Sequence, residues 1–119
     1  MARRTARPMP TFEQGDVVRV PFPYTDRSTR QRRPALVISK GGVGDQSAFL
    51  WVLMITSAEN RGWPADVPVG PDYADAGLPA PSVIRTTKIA TIDASAAETV
   101  GRIKPGLLEK VRAEVGVLI

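Results

Sequence analysis

The sequence predicts a mainly β protein of the small α+β class, in which a curled sheet or small barrel of short strands precedes one C-terminal helix. Two observations carry this prediction. Short segments of apolar or alternating apolar and polar residues recur up to about residue 103, separated by glycine, proline and polar residues. Residues 105–119 differ, because their apolar residues recur at helical spacing.

Composition limits the classes of protein and of site. The chain has 119 residues, which favours one domain, and a formal net charge of +4, which favours anionic partners. It has no cysteine and no histidine, which excludes disulfides, thiolate metal sites and histidine acid–base chemistry. We therefore expect no metal and no cofactor. No apolar run is long enough to cross a bilayer, so we expect a cytoplasmic protein without membrane contact. The basic residues 1–11 are expected to form a disordered tail before a single domain at 12–119.

Each predicted strand is a short run with apolar alternation or continuous apolar character. The third run, FLWVLMI, is the most apolar of the chain, so Trp51 is expected in the core. Prolines and glycines after Val69 predict a broken excursion, GPDYADAGLPAP. The predicted strands are Asp16–Phe22, Pro34–Lys40, Phe49–Ile55, Ala65–Val69, Ser82–Arg85, Lys88–Ile92 and, near the end, Thr99–Ile103.

The C-terminal segment KPGLLEKVRAEVGVLI is typical of an amphipathic helix. Pro105 suits the first turn of a helix, where its missing N–H is not needed. Gly116 weakens the end of the helix by roughly 1 kcal/mol relative to alanine. The apolar stripe consists of Leu107, Leu108, Val111, Val115 and Leu118.

Cations and hydroxyl groups gather at the ends of three predicted strands. Arginines cluster between the first two strands, Thr56 and Ser57 follow the third, and Arg85 precedes Thr86 and Thr87. If these strands are neighbours, the side chains converge on one face and form a cradle for a phosphodiester, since arginine forks match phosphate oxygens. The alternative is ordinary surface arginines and turn threonines. The clustered arginines are Arg27, Arg30, Arg32 and Arg33.

Trp63 follows Gly62 in a predicted loop. An exposed indole there would stack on an unpaired base, a contact worth about 1–3 kcal/mol. A partly buried packing role is the alternative interpretation.

Four segments together resemble the MazF/PemK family of toxins from type II toxin–antitoxin systems. They are GDVVRVPFPYTD, RRPALVIS, ITSAENRGWPADVPV and SVIRTTKIATID, and the terminal helix also agrees. The resemblance implies an SH3-like barrel with a helix, commonly a homodimer. It implies an endoribonuclease that cuts single-stranded mRNA at a short sequence. It also implies a cognate antitoxin whose acidic, flexible segment occupies the RNA groove.

The resemblance also implies roles for individual residues. By position, Arg33 matches the family's catalytic arginine and Thr56 its catalytic threonine. Arg85 matches an arginine that some members use near the scissile phosphate, and Ser57 and Asp26 are further candidates for catalysis or phosphate binding. Some members have an aspartate where this chain has Thr87, and a glutamate in the first long loop, where only Asp26 is acidic. The residues expected to contact RNA are Arg27, Arg30, Arg32, Trp63 and Thr87.

Such a site needs neither histidine nor metal, because RNA carries its own nucleophile. Attack by the ribose 2′-OH on the adjacent phosphorus is intramolecular, and good orientation can lower the barrier by roughly 7–11 kcal/mol. Arg33, Thr56 and Arg85 would stabilise the developing charge, and Asp26 is the candidate base. Two alternatives share this fold: a non-catalytic barrel that binds RNA or protein, and a toxin that poisons a protein target such as DNA gyrase.

Overall fold

The structure is a computed structural model that describes residues 11–21, 32–60 and 62–119. Of the predicted tail, only Thr11 is described, and Asp26, Arg27 and Arg30 lie outside the described residues. The described part contains short 3₁₀ turns at 45–47, 71–73 and 94–96. Its regular elements are β1 (Asp16–Pro21), β2 (Arg32–Val37), β3 (Phe49–Ser57), β4 (Asp66–Pro68), β5 (Ser82–Asp93), β6 (Glu98–Arg102) and α1 (Pro105–Leu118).

The six strands form one antiparallel sheet with the order β4-β5-β3-β2-β1-β6. The predicted mainly β class with one terminal helix is therefore confirmed. Strand β3 lies between β5 and β2, and its ladder with β5 is the longest in the sheet. The ends of β2, β3 and β5 are consequently neighbours, as convergence of their polar residues requires.

Each face of the sheet carries its own apolar cluster, because successive side chains of a strand point to opposite faces. On one face, Leu36, Leu53 and Ile84 pack with Val111 and Val115 of α1. On the other face, the cluster is built from strand residues together with Phe12 and Ala94, so the sheet covers this face by curling on itself. The second cluster consists of Phe12, Val18, Val20, Ala35, Val37, Leu50, Val52, Ala90, Ile92 and Ala94.

Helix α1 begins at Pro105, as the sequence predicts, and buries Val111 and Val115. Leu107 and Leu108 pack at the margin of the same cluster, whereas Leu118 remains half exposed. No helix within the described ranges is long and apolar enough to span a membrane.

Three predicted strand boundaries are wrong by two or three residues, whereas those of β4 and β6 differ by one. Strand β2 starts at Arg32 rather than Pro34, so both arginines belong to the strand and pair with β1. It ends at Val37 because the amides of Ile38 and Ser39 both donate to the carbonyl of Trp51. Strand β3 continues through Thr56 and Ser57, which pair with β5.

The two strands predicted for 82–85 and 88–92 are one strand, β5, with a register shift inside it. Leu53 pairs with Ile89, whereas the next residue, Met54, pairs with Arg85. Residues 86–88 are therefore extra on the β5 side. Leu53 and Met54 are consecutive residues, so their side chains point to opposite faces of the sheet. Because each pairs with a residue on its own face, the extra residues place Arg85 and Ile89 on opposite faces.

Trp51 was expected in the core, but half of its surface is exposed. It alternates with the buried Leu50 and Val52 along β3. A continuous apolar run hides this alternation, because a tryptophan among leucines and valines gives no polar signal of an outward position.

The predicted excursion after Val69 packs against β6. Ala76 and Leu78 are buried in the cluster beneath α1. Gly101 faces the carbonyl of Ala76 so closely that an added Cβ would lie 2.2 Å from its oxygen. A side chain at Gly101 would therefore push the excursion away from the sheet.

Candidate functional site

A small pocket opens where β3 ends and β5 begins, beside the loop that leads to β4. Its volume is about 240 Å³. Two strands and one loop contribute its walls, and both apolar and cationic side chains face it. The lining residues are Met54, Thr56, Asn60, Trp63, Arg85 and Lys88.

Strand alternation explains why Thr56 and Arg85 meet at this pocket. Met54 and Thr56 are two positions apart in β3, so their side chains share a face. Arg85 pairs with Met54 across the β3–β5 ladder and lies on that face as well. This is the face of the second apolar cluster, against which Met54 is packed.

Arg33 lies on the same face, on the other side of β3. Ala35 pairs with Met54 in the β2–β3 ladder. Continuing this antiparallel register by two residues brings Arg33 opposite Thr56. The Nε of Arg33 is buried and has no hydrogen-bond partner in the part of the chain that the structure describes. A buried donor of this kind is typical of a group that awaits an acceptor.

Arg85 is held from two directions. Its Nε lies 3.7 Å from Oδ2 of Asp66, and the two side chains are 8% and 10% exposed. Its guanidinium carbon lies 4.2 Å from the centroid of the Trp63 ring. Nζ of Lys88 lies 5.5 Å from the same centroid. Both cations are near enough to interact with the electron-rich face of the indole.

Asp66 also fixes the loop that carries Trp63. The backbone N–H of Trp63 donates to Oδ2 of Asp66 at 2.9 Å. Ala65 has a φ of +68°, a left-handed conformation that is strained for alanine. The buried hydroxyl of Thr86 donates to the Ala65 carbonyl at 2.8 Å and thereby fixes this turn.

The hydroxyl of Thr56 has a partner in the next turn of the chain. Nδ2 of Asn60 donates to Oγ1 of Thr56 at 2.5 Å. Both residues line the pocket, and Thr56 is half-buried whereas Asn60 is exposed.

Other predicted site residues do not line this pocket. Nη2 of Arg32 donates to the carbonyls of Arg19 at 3.0 Å and of Ala96 at 2.6 Å, which ties β2 to the turn before β6. Ser57 is the partner of Ser82 on the opposite face, and its Oγ accepts from the amide of Glu59. Thr87 is exposed in the extra segment of β5.

Sequence reasoning missed three residues of the site. Asn60, Asp66 and Lys88 belong to segments that the sequence analysis treated as turn or strand. Asp66 is the one of these residues that the sequence could have indicated. Aspartate side chains often accept a hydrogen bond from a backbone amide a few residues away, and Trp63 lies three residues before Asp66. Lys88 became a site residue only through the register shift in β5, which no sequence pattern marks.

The electrostatics of this face favour an anion. Arg85 and Lys88 line the pocket, and Arg33 lies on the same sheet face as Arg85, whereas the carboxylate of Asp66 is engaged by Arg85 and Trp63. The arrangement can hold phosphate oxygens with a guanidinium, an ammonium and a hydroxyl, next to an exposed indole.

Comparison with known proteins agrees with this fold. The family model described as PemK-like, MazF-like toxin of type II toxin-antitoxin system matches residues 13–119. No curated protein matches the chain in sequence.

Solved structures also match over almost the whole chain. MazE–MazF from Deinococcus radiodurans aligns with a TM-score of 0.69 and 24% identity, over 91% of this chain and 94% of that chain. An endoribonuclease from a mycobacterial species gives 0.67 and 20%, over 92% and 91%. A mycobacterial endoribonuclease in complex with its cognate antitoxin gives 0.64 and 19%, over 88% and 91%. At these identities the similarity shows a common fold.

Proposed function

We propose, from the premise that this chain belongs to the PemK-like, MazF-like toxin family, that it is an endoribonuclease that cuts single-stranded mRNA. The observation that carries the proposal is the common sheet face of Arg33, Thr56 and Arg85, of which Thr56 and Arg85 also line one pocket. Arg33 is the principal catalytic cation, and Thr56 is the hydroxyl donor beside it. Together with Arg85, these residues lie on three adjacent strands. The packed core beneath the strands would fix the geometry of the cradle.

In this mechanism the substrate supplies the nucleophile. The 2′-oxygen attacks the adjacent phosphorus, and a proton moves from the 2′-hydroxyl to a base. The bond to the 5′-oxygen of the next nucleotide breaks, and this oxygen takes up a proton from the protonated base or from water. The products are a 2′,3′-cyclic phosphate and a 5′-hydroxyl. Arg33 and Thr56 stabilise the extra negative charge on the phosphorane oxygens. Asp26, outside the described residues, remains our proposed base.

Arg85 has a more indirect part in this proposal. Because it is buried between Asp66 and Trp63, it contributes positive potential and orients the indole. Trp63 is 40% exposed, which supports stacking on an unpaired base on the side away from Arg85. Arg27, Arg30, Arg32 and Thr87 are proposed to contact flanking nucleotides.

The experiment that tests this function is cleavage of single-stranded RNA by the purified protein, with the ends of the products identified. We expect cleavage that continues in excess EDTA and stops when the ribose 5′ to the cut lacks its 2′-hydroxyl. Arg33→Ala should abolish most activity, and Arg33→Lys should restore little, because lysine lacks the planar fork. Lys110→Ala, on the exposed face of α1, is the control.

Three results would contradict the proposal in different ways. Wild-type activity of Arg33→Ala would remove Arg33 from the site. Cleavage of the 2′-deoxy substrate, or activity that EDTA abolishes and magnesium restores, would replace the mechanism with a metal-activated water. RNA binding without cleavage would favour the non-catalytic alternative.

We also propose an antitoxin partner, by analogy with the MazE–MazF and endoribonuclease–antitoxin complexes of the similar structures. An acidic, flexible segment would complement the cations of the pocket face. An adjacent reading frame for a small acidic protein, whose product blocks cleavage and co-purifies with the chain, would support this partner. We place this complex in the cytoplasm.

A homodimer is the last part of the proposal. Trp51, Ile89 and Ile119 are exposed apolar residues that line one groove with Val115 at the end of α1. Exposed apolar patches of this kind are typical of protein interfaces. Light scattering should give twice the mass of the chain, and Ile89→Glu should give the monomer.

A further inference from the structure

The turn after β3 places an amide against the hydroxyl that we assign to catalysis. The backbone N–H of Asn60 donates to the carbonyl of Ser57 at 3.0 Å. The amide of Glu59 donates to Oγ of Ser57 at 3.2 Å. These two bonds fold residues 57–60 back over the end of the strand, so that Nδ2 of Asn60 reaches Oγ1 of Thr56 at 2.5 Å.

This contact determines how Thr56 can use its hydroxyl. A threonine hydroxyl has one hydrogen to donate and two lone pairs that accept. The amide of Asn60 occupies a lone pair and offers Thr56 no acceptor in this orientation. The hydrogen of Thr56 is therefore left to point into the pocket, where Arg85 and Lys88 also face.

We propose that Asn60 is a positioning residue that keeps the Thr56 hydroxyl as a hydrogen-bond donor toward a phosphate oxygen in the pocket. The proposal rests on the function proposed above, because it assumes that Thr56 acts on the phosphate. It adds a residue that neither the strand pattern nor the family resemblance singled out.

The chemistry of the asparagine side chain makes a specific prediction about substitutions. Asn60→Asp has nearly the same shape, but its carboxylate only accepts, so it takes the hydrogen of Thr56 and adds a negative charge beside the phosphate. Asn60→Ala removes the contact without a new charge. We expect kcat to fall roughly tenfold for Asn60→Ala, the size expected for one hydrogen bond, and further for Asn60→Asp.

A double-mutant cycle distinguishes positioning from a structural role. Cleavage is measured for wild type, Asn60→Ala, Thr56→Val and the double variant. If Asn60 acts through Thr56, its substitution has no further effect on kcat once the hydroxyl is gone. Glu59→Ala, an exposed position in the same turn, is the matched control and should retain wild-type kcat and KM.

A second measurement detects the contact without relying on activity. In the NMR spectrum of the ¹⁵N-labelled full chain, the side-chain amide of Asn60 should shift when Thr56 becomes valine. It should stay in place in Glu59→Ala, which leaves both hydrogen bonds of the turn and the Thr56 hydroxyl intact. The proposal is overturned if the signal of the Asn60 side-chain amide does not shift in Thr56→Val. It is also overturned if the oxygen of that amide, rather than its nitrogen, faces Thr56.

The outcomes separate this proposal from the proposed function. Wild-type cleavage by Thr56→Val removes the catalytic role of Thr56, and the positioning role of Asn60 fails with it. Impaired cleavage by Thr56→Val together with wild-type cleavage by Asn60→Ala overturns the positioning role alone. If Asn60→Ala lowers kcat by the same factor in the Thr56→Val background as in the wild type, the positioning role is overturned as well.

Discussion

The guanidinium carbon of Arg85 lies 4.2 Å from the centroid of the Trp63 ring, so the most buried cation of the site supports its most exposed aromatic side chain. This relationship gives each residue a distinct part. Arg85 and Asp66 hold one side of the indole, and the exposed part of the ring faces the solvent beside the pocket. A base that stacks there would be positioned relative to Thr56 by the strands themselves.

We expect Trp63→Ala to weaken binding of single-stranded RNA by roughly fivefold to 150-fold, which corresponds to loss of one stacked base. Trp63→Phe should retain part of the affinity. The chain has two tryptophans, so in the Trp51→Phe variant the fluorescence reports on Trp63 alone and should be quenched by RNA. Unchanged emission on saturation with RNA would contradict stacking.

Replacement of Asp66 should affect stability as well as the site. Asp66→Asn leaves an acceptor for the Trp63 amide but removes the charge opposite the buried Arg85. Loss of one partner of a buried ion pair typically costs about 3–5 kcal/mol, and denaturant unfolding should show a loss of this order. Glu109→Gln, which breaks the exposed pair with Arg112, should cost less than about 1 kcal/mol.

Thr56 and Ser57 provide a matched pair of hydroxyls on opposite faces of β3. Thr56→Val keeps the shape of the side chain and removes the donor, so kcat should fall by roughly a hundredfold. Ser57→Ala should lower kcat much less than Thr56→Val, since its hydroxyl lies on the opposite face and acts only through the turn. Equal effects of the two substitutions would mean that the site is not confined to one face of the strand.

Lys88 should contribute to binding through its charge. In the inactive Arg33→Ala background, RNA affinity should fall steeply with salt, because each neutralised phosphate releases counterions. Lys88→Gln should make the slope of log affinity against log salt shallower by about 0.7, the value for one contact with a single strand. Lys110→Gln, on the exposed side of α1, should leave the slope unchanged.

The strained turn before β4 predicts a stabilising substitution. Ala65 has a φ of +68°, which glycine adopts without the steric penalty of a Cβ atom. Ala65→Gly should therefore raise the free energy of unfolding by roughly 0.5–1 kcal/mol. Ala113→Gly on the exposed face of α1 should lower it by about 1 kcal/mol. A destabilising Ala65→Gly would show that the turn relaxes without cost.

Periodicity was sufficient to predict the class and the helix from Pro105, whereas the order of β2, β3 and β5 in the sheet was only assumed. It failed for Trp51, whose outward position is concealed within an apolar run, and for β5, where extra residues interrupt pairing without ending the strand. Arg33 and Thr56 were accessible to prediction because both lie at strand ends. Asn60 and Lys88 were not, because their roles depend on a turn and a register that only the folded backbone determines.

The three residues inserted in β5 divide one strand into two segments that can diverge separately. Because the inserted residues interrupt the regular alternation of faces between Arg85 and Ile89, the two segments are set on the sheet independently. Changes near Arg85 therefore need not alter which residues of the following segment face the core. Substitutions around Arg85 can therefore accumulate in the first segment while the second keeps its role in the fold. Loss of a single residue from the insertion would leave Arg85 and Ile89 three positions apart, a spacing that regular alternation places on opposite faces, so both segments would keep their present faces.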